Sequence, residues 1–436
     1  MTIRARVYWA LDRARGGAVT REIEQVSSLA EQRSHELSDA LLQVQIEHVV
    51  QNVPYYRGLK GTYDLSDFPI VDKATIRAAG DRTIATGTDV SACSIASTSG
   101  STGMPFRVLH EPAKRRRVLA DAIFWGEQAG YQLGAPLLHM KVWSDRNRIG
   151  LFPRTLRNII PIDTTSLDGN DLLAIVDSVS RRRPVSIISY ASSLALLAQA
   201  IEVAVTSGRD PENLPQIRSI IGQSEHLPSD ARDTLRRHLS IDPVSRYGLE
   251  ELGIVGQQVP GGGSEFLINS PSLIVEILAL DSTEPAGPGQ TGRIVVTELI
   301  NRAQPLIRYD TGDLGRFRVD EYGQIDPSVL SAVEGRRLDQ IYDVNDHPLT
   351  SMVMYNLWWR FPDIMQYQLV QRGRGDYLLR INVGAGFNRA DEVVRRFKEI
   401  VGKTATVDLE ITSEEFVLSS GKRKSVVSHY SPKGAV

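Results

Sequence analysis

The chain has 436 residues, of which 42% are hydrophobic and 23% are charged. These proportions exclude an intrinsically disordered chain, and the length predicts two or three domains. The 50 basic and 52 acidic residues leave a formal net charge of −2, so there is no basic excess that would indicate nucleic acid as the main partner.

The sequence offers few signals of cellular location. Cys93 is the single cysteine; it cannot form an internal disulfide, which fits a reducing compartment, and we assign it no catalytic role. The N-terminus, MTIRARVYWALDRARGG, lacks the continuous apolar stretch of a secretion signal. An organelle transit peptide is the less favoured alternative, because the acidic segment 21–48 is typical of folded chain. The most apolar window, 187–205, has helical spacing, which favours a packed helix over a membrane span. We therefore predict a cytoplasmic protein that does not act on a membrane.

Short apolar strands and helices alternate through the first part of the chain. A helix is predicted over 21–51, and the turn-rich NVPYYRGLKG and then DFPIVDKATIR lead towards the next one. Further helices are predicted over 112–130, 168–182, 191–207 and 228–239, and short strands over 185–190 and 217–222. This alternation is typical of α/β units.

The pattern changes after residue 265. From 265 to 330, strands separated by turn signals such as PAGPGQTG predict a β-rich subdomain. A hairpin over 365–371 and 376–383, a helix near 389–401 and a strand in TATVDLEIT predict a small α+β unit. The expected division is a large N-terminal domain over 1–335 and a small, mobile C-terminal domain over 336–436.

Two segments have residue types suited to phosphates and metal ions. STSGSTGMP, 97–105, combines glycines with hydroxyl residues between a strand-like and a helix-rich segment, so its N–H groups and hydroxyls could surround an anion. It is not a Walker loop, and a flexible surface loop explains it equally well. RYGLEELG, 246–253, places carboxylates after an aromatic residue that could stack on a base, although a helix start explains it as well.

Two later segments could contact a ribose and developing negative charge. In RYDTGDLG, 308–315, Asp313 lies in a predicted glycine-flanked turn and could accept both ribose hydroxyls; a plain hairpin turn is the equal alternative. In SSGKRK, 419–424, Lys422 lies on a glycine- and serine-flanked segment. Taken alone, this segment is better explained as a solvated basic tail.

The order of these four segments, with a Gly–Arg pair at 335–336 between the last two, resembles the adenylate-forming superfamily of acyl-CoA synthetases, luciferases and peptide-synthetase adenylation domains. Within it, NVPYYRGL, DFPIVDKATIR and PVSIISYASSLALLAQAIE are similar to segments of the phenylacetate–CoA ligase branch. The resemblance covers nearly the whole chain.

The resemblance implies a role for particular residues. Tyr247 would pack against adenine, Asp313 and Arg336 would contact the ribose, and Lys422 would bridge the substrate carboxylate and the α-phosphate. Glu251 would bind Mg²⁺, and Asp339 would mark the hinge between the domains. The ATP phosphates would be held by Ser99, Gly100, Ser101, Thr102 and Gly103.

Three departures from the family pattern matter. Phe106 stands where the phosphate loop often has Lys. Glu250 replaces the usual Thr before the metal-binding Glu, which leaves open whether Glu250 or Glu251 is the ligand. After the hinge, the family's Ile-Lys-x-x-Gly reads Ile341 to Asn345; the glycine that opens the path for the pantetheine arm is therefore not plainly present, although Asn also tolerates positive φ.

The implied activity is ATP-dependent activation of a carboxylic acid, aryl or small acyl, followed by transfer to a thiol, with coenzyme A favoured. Transfer to a carrier protein or an amine, a non-catalytic nucleotide-binding homologue, and an ordinary α/β protein with chance motifs are the alternatives. A homodimer is a further partner prediction. The basic runs Lys114–Arg117 and Arg181–Arg183 are interpreted as solvated helix faces rather than sites for a nucleotide-tailed thiol. Candidate acyl-pocket residues, each of which could instead be packing, are Trp143, Tyr190, Gln223, Ser224, Glu225, Gly248 and Gly253.

Overall fold

The chain folds into two compact units in the computed structural model. The larger contains 1–279, 283–311 and 315–333, and the smaller contains 280–282, 312–314 and 334–436. The structure describes residues 1–32, 35–59, 64–98, 106–141, 143, 149–164, 167, 169–181, 183–224, 226–336, 341–346, 348–349, 361, 363–384, 386–412 and 426–430.

The helices of the larger unit lie mostly where the sequence predicts them. The first, α1, was not expected; its N-terminus is capped by Thr2 Oγ1, which accepts from the Ala5 N–H at 3.0 Å. The helix predicted over 21–51 corresponds to two described helices, with residues 33–34 between them outside the described part of the chain. The helices are α1 Ile3–Ala14, α2 Ala18–Gln32, α3 His35–Asn52, α4 Lys73–Ala79, α5 Pro112–Gln128, α6 Leu151–Arg157, α7 Gly169–Ser180, α8 Ala191–Thr206 and α9 Ser229–Leu239. Short 3₁₀ turns occur at Pro54–Tyr56, Leu65–Asp67, Gly80–Thr83, Val90–Ala92 and Pro211–Asn213.

A two-stranded hairpin precedes the main sheet. Strands β1 (Ser94–Thr98) and β2 (Phe106–His110) pair antiparallel, with Thr98 opposite Phe106. The phosphate-loop segment therefore connects two paired strands, whereas the sequence predicted a helix-rich segment directly after it. A short, buried apolar run forms β2 directly after the loop segment, and helix α5 begins only after β2.

One large sheet combines the predicted α/β and β-rich regions. Within the described residues it has 11 strands in the order β10-β11-β12-β13-β9-β8-β7-β6-β5-β3-β4. The first strands in sequence are β3 Leu137–Lys141, β4 Ile159–Asp163, β5 Val185–Tyr190, β6 Ile217–Gln223, β7 Val244–Leu249 and β8 Gly253–Gln257. The remaining five are β9 Phe266–Ile268, β10 Leu273–Leu278, β11 Gly292–Glu298, β12 Tyr309–Val319 and β13 Ile325–Arg336.

The direction of the strands changes at β7. Strands β4, β3, β5, β6 and β7 are parallel, and β7 pairs antiparallel with β8. The parallel strands are near-continuous apolar runs, as expected of strands covered on both faces. Leu194, Leu197 and Ile201 of α8 pack with Ile187 and Ile220 of the sheet in one buried cluster. The carboxyl ends of the parallel strands meet at one sheet edge, where ligands commonly bind in such folds.

The smaller unit is a sheet with a helix packed on it. Its strands are β14 Ile341–Tyr342, β15 Pro348–Leu349, β16 Ile364–Gly373, β17 Asp376–Val383, β18 Thr406–Thr412 and β19 Val426–Ser428, and its helix is α10 Ala390–Val401. The order β18-β17-β16-β19 contains the predicted hairpin as β16 and β17. Val393, Phe397 and Val401 of α10 are fully buried in its core. The left-handed residue after β14 is Asp346, with φ 65°, and not Asn345.

The described helices include none that is both long and apolar enough to cross a membrane. The apolar window 187–205 forms the end of β5 and most of α8.

Candidate functional site

The turn after β7 and the start of β12 bring two of the four chemistry-bearing segments together. Tyr247 is half-buried on β7, and its hydroxyl lies 3.4 Å from Thr311 Oγ1 on β12. In the turn after β7, Glu251 Oε1 accepts from the Tyr309 hydroxyl at 2.7 Å. Two segments that are about sixty residues apart in sequence are therefore joined by side-chain contacts, which the sequence pattern alone does not establish.

Glu251 has the environment of a held carboxylate with one free oxygen atom. Only 1% of the residue is exposed. Oε1 contacts the Tyr309 hydroxyl and lies 3.1 Å from Lys73 Nζ. Oε2 is buried and has no hydrogen-bond partner among the described residues. An orphaned anionic oxygen is costly unless something pairs with it, so the residue fits a cation ligand.

The described residues contain no group of three or more His, Cys, Asp or Glu side chains that could hold a metal ion. Mg²⁺ is usually bound by one or two carboxylates together with substrate phosphates. A single buried carboxylate is therefore the donor set expected for such an ion, and Glu250, which is exposed on the same turn, is the poorer candidate.

Lys73 is a contact that the sequence analysis missed. Val71 forms a parallel bridge with Tyr309, and this pairing places the start of α4 beside the β7 turn. Lys73 Nζ also lies 5.7 Å above the centroid of Phe106, whose ring stacks on Tyr309 at 6.1 Å. Phe106, at the position where the resemblance often predicts a lysine, thus contacts the lysine of a different segment. No local signal in the sequence indicates this long-range pairing.

Arg308, the first residue of the third segment, has a structural role. Its guanidinium donates to Glu276 at 2.9 and 3.2 Å and to the Phe68 carbonyl at 3.2 Å. Burial raises the pKa of Glu276, and the Arg308 charge opposes that rise. Arg308 has φ 45°, and its N–H donates to Thr297 Oγ1 at 2.9 Å. These contacts fix the position of the chain where β12 begins.

Asp313 lies within β12, so the prediction of a glycine-flanked turn is wrong at this position. The residue is 7% exposed. Gly312 before it has φ 78°, a left-handed conformation that favours glycine. Gly312 therefore allows a local irregularity within the long strand β12. Such an irregularity is hard to distinguish from a turn by amino-acid composition.

A cluster of buried polar side chains binds the backbone carbonyls of the β7 turn. His110 Nε2 donates to the Glu251 carbonyl at 2.9 Å, and Lys114 Nζ donates to the Leu252 carbonyl at 2.6 Å. Lys114 also forms an ion pair with Glu298, and both side chains are buried. Arg117 is buried as well and donates to Glu22 at 2.7 Å. The solvated face predicted for Lys114–Arg117 is therefore wrong for Lys114 and Arg117, because these two side chains bind carbonyls and carboxylates in the interior, while Arg115 is exposed.

The fold and this arrangement can be compared with known proteins. No protein-family model matches the chain. It is 24% identical over 311 residues, 66% of this chain and 67% of the relative, to the phenylacetate-coenzyme A ligase of Thermus thermophilus. Its structure resembles 2-hydroxyisobutyryl-CoA ligase in complex with 2-HIB-AMP, with a TM-score of 0.65 at 17% identity, covering 91% of this chain and 89% of the other. The chain therefore has the fold of this acyl-CoA ligase.

A more distant structural neighbour was solved with bound nucleotide. ATP-bound MatB from Rhodopseudomonas palustris gives a TM-score of 0.52 at 14% identity over 75% of this chain and 65% of the other. The expected fold class, an α/β protein with a large N-terminal part and a small α+β C-terminal part, is thereby confirmed.

In this fold, the candidate acyl-pocket residues lie near the carboxyl ends of the parallel strands. Trp143 follows β3, and its indole Nε1 donates to the carbonyls of His139 at 3.3 Å and Ile162 at 3.2 Å. Lys141 Nζ lies 4.4 Å from the centroid of the Trp143 ring. Burial lowers the pKa of His139 to about 3, with the charges of Lys141 and Arg246 contributing. His139 is therefore neutral at pH 7.

The other candidate residues fall into two groups. Tyr190 and Gln223 end β5 and β6 as cross-strand neighbours, and Ser224, with φ 69°, follows them. Gly248 and Gly253 face each other across the β7–β8 turn, where a Cβ on Gly248 would approach the Gly253 carbonyl to 2.8 Å. The two glycines are thus explained by the turn itself. Their roles in binding an acid stay predictions.

Several predicted site residues lie outside the described part of the chain. Arg336 ends β13, but its side chain is not among those described. The others are Ser99, Gly100, Ser101, Thr102, Gly103, Glu225, Asp339 and Lys422.

Proposed function

We propose that this chain uses ATP and Mg²⁺ to convert a carboxylic acid, aryl or small acyl, into an acyl-adenylate and then transfers the acyl group to a thiol, with coenzyme A favoured. The observation that carries the proposal is the joining of the β7 turn to β12 through Glu251–Tyr309 and Tyr247–Thr311. The named relatives support it: one is a phenylacetate-coenzyme A ligase, and another is a CoA ligase crystallised with its acyl-AMP and CoA.

The first step is attack by a carboxylate oxygen on the α-phosphorus of ATP, which forms the acyl–phosphate bond and releases pyrophosphate. Because two anions must approach, the reaction depends on fixed positive charge and aligned donors. Bound Mg²⁺ would supply charge neutralisation at the phosphates. Glu251 is the residue proposed to hold it, since its Oε2 is buried and unpaired among the described residues.

The remaining nucleotide contacts follow from the resemblance. Tyr247 would pack against adenine, while Asp313 and Arg336 would bind the ribose. The hydroxyls and N–H groups of Ser99, Gly100, Ser101, Thr102 and Gly103 would hold the phosphates.

The proposed second step is attack of a thiol on the acyl-adenylate after the small domain, 336–436, rotates about Asp339. The resemblance predicts a glycine at Asn345, whereas the left-handed residue of this segment is Asp346. Transfer to a carrier protein or an amine is therefore the second candidate. A cytoplasmic location and a homodimer stay predictions.

Lys422 is proposed to neutralise charge in the transition state of adenylation. We expect Lys422→Ala to slow acid-dependent ATP–pyrophosphate exchange roughly 10²- to 10³-fold, the usual cost of losing one such contact. Lys424→Ala, in the same basic segment, is the matched control and should retain the exchange rate. Equal rates for wild type and Lys422→Ala would refute the assigned role.

The proposed function is tested by ATP–pyrophosphate exchange with a panel of aryl, acyl and amino acids, followed by product analysis with coenzyme A, carrier proteins and amines. Exchange that depends on an acid, and a thioester with coenzyme A, are the expected results. ATP binding without exchange for any acid would favour a non-catalytic nucleotide-binding homologue.

A further inference from the structure

A single row of polar residues crosses the carboxyl ends of the parallel strands. Met140 of β3 pairs with Ser189 of β5, so the next residues, Lys141 and Tyr190, are neighbours. Tyr190 pairs with Gln223 of β6, and Gln223 pairs with Arg246 of β7. Residues paired in register point to the same face of a sheet. Lys141, Tyr190, Gln223 and Arg246 therefore form one row at the edge where ligands bind in such folds.

Lys141 stands out in this row because its charge is not neutralised by a direct contact. The residue is half-buried, and its ammonium lies 4.4 Å from the centroid of the Trp143 ring. Among the described residues, none forms a hydrogen bond or an ion pair with Lys141 Nζ. The Trp143 ring contacts one side of the Lys141 ammonium, and the Trp143 indole N–H donates to backbone carbonyls. N–H donors of Lys141 are left for a ligand.

Apart from the exposed carboxylate of its register neighbour Asp163 on β4, the charges around Lys141 favour an added anion. Burial lowers the pKa of Lys141, which means that the ammonium is partly desolvated. Glu250 opposes that shift through its charge, but it is exposed on the β7 turn and forms no ion pair with Lys141. His139 is neutral at pH 7, and Arg246 has a buried Nη2 atom with no hydrogen-bond partner in the described chain. A bound anion would replace the interactions with water that Lys141 and Arg246 lost on burial.

The position of Lys141 separates this anion from the reacting carboxylate. Adenylation would take place beside Tyr247 and Glu251, at the β7 turn. Strand β3 is three strand spacings from β7, with β5 and β6 between them, which is roughly 14 Å at about 4.8 Å per spacing. Accordingly, the Glu250 carboxylate on that turn acts on Lys141 through its charge and forms no ion pair with it, so a carboxylate held at the turn is not expected to contact the ammonium directly. The direct partner of Lys141 is therefore assigned to the other end of the acid.

We propose that Lys141 is a specificity-determining residue that selects acids carrying a second negatively charged group, a carboxylate or a sulfonate, at the end remote from the activated carboxylate. Trp143 would support the ammonium and contact the apolar or aromatic middle of the acid. This assignment rests on the proposed function, whose substrate class it narrows.

The test compares matched acids in ATP–pyrophosphate exchange: phenylacetate with 4-carboxyphenylacetate, and hexanoate with adipate. Wild type should favour the member with the second carboxylate, with a kcat/KM ratio on the order of 10- to 100-fold, as expected for one charge-assisted hydrogen bond. Lys141→Met should bring this ratio close to one, mainly through a higher KM for the diacid, and Lys141→Arg should retain most of it. A variant that is merely less well folded would lower both rates and leave the ratio unchanged.

Preference of wild type for the monoacids, or an unchanged ratio in Lys141→Met, would overturn the assignment. Equilibrium binding of adipate and hexanoate, measured by calorimetry without ATP turnover, keeps the inference separate from the proposed function. If no acid supports exchange, the proposed function fails. Tighter binding of adipate to wild type than to Lys141→Met would then still support the site, and equal binding would refute it.

Discussion

Glu250 and Glu251 are adjacent in sequence, yet the β7 turn places them in opposite environments. Glu251 is buried and bonded to Tyr309, while Glu250 is exposed and acts on Lys141. The sequence could indicate that one of the two carboxylates binds a metal ion, but it could not say which. The burial of Glu251 depends on Lys73 and Tyr309, which are distant from it in sequence.

Glu251→Gln should impair adenylation far more than Glu250→Gln. The amide keeps the Tyr309 hydrogen bond but loses the charge that would hold Mg²⁺. We expect exchange to fall on the order of 10²-fold with a higher Mg²⁺ requirement, because one electrostatic contact to the reacting phosphates is lost. Rates measured across a Mg²⁺ titration check this. A larger loss in Glu250→Gln would transfer the metal role to that residue.

His110 gives the chain a defined sensitivity to acid. Burial, together with the Lys114 charge, lowers the pKa of His110 from 6.5 to about 4. Between these values the unfolded chain binds a proton that the folded chain does not, so the free energy of unfolding falls as the pH is lowered through this window. At about 1.4 kcal/mol per pKa unit, the loss is on the order of 3 kcal/mol.

His110→Gln should remove most of that loss, because the amide donor can replace Nε2–H and does not titrate. Urea unfolding of both proteins at pH 7 and pH 4.5 provides the measurement. The buried His139 stays in both proteins and accounts for residual acid sensitivity. Identical losses in the two proteins would show that His110 is not protonated on unfolding in this range.

At the scale of single elements, local patterns predicted the helices and strands whose environment is simple. The apolar runs 185–190 and 217–222 became β5 and β6, and the helix predicted over 228–239 became α9. Local patterns do not predict features that depend on distant partners. Gly312 resembles turn punctuation and so predicts a turn at Asp313, although β12 continues through it. The basic run predicts a solvated face for Lys114 and Arg117, because their buried acceptors are far away in sequence.

The β7–β8 turn depends on Gly253. The residue has φ 91°, and a Cβ there would lie 3.3 Å from Val118 Cγ2. Gly253→Ala should therefore destabilise the chain by about 1–2 kcal/mol, the cost of a left-handed L-residue, and should lower exchange by disturbing Glu251. Thermal unfolding and exchange rates test this. Gly58→Ala is the control, because Gly58 is not left-handed and has open space around its Cα. Equal stability of Gly253→Ala and wild type would contradict this account of the turn.

At the scale of the whole molecule, the order of the four motifs along the chain predicted the fold better than any single motif did. Taken separately, each segment had a plain structural explanation of equal or greater weight. Their order along the chain indicated the fold, which the structure bears out. The division at 335/336 and the hinge at Asp339 stay predictions, as do the roles of Lys422 and the phosphate loop. The continuity of the 11-stranded sheet, seen in the described residues, was not predictable because strand order depends on long-range pairing.

The central claim is that the turn after β7, Asp313, the 97–105 segment and Lys422 act on one nucleotide. A crystal structure of the chain with ATP bound tests it most directly. We predict adenine against Tyr247, the ribose hydroxyls on Asp313, and the phosphates at 99–103 with a cation on Glu251. A nucleotide bound at a surface remote from Tyr247 and Asp313 would contradict the account.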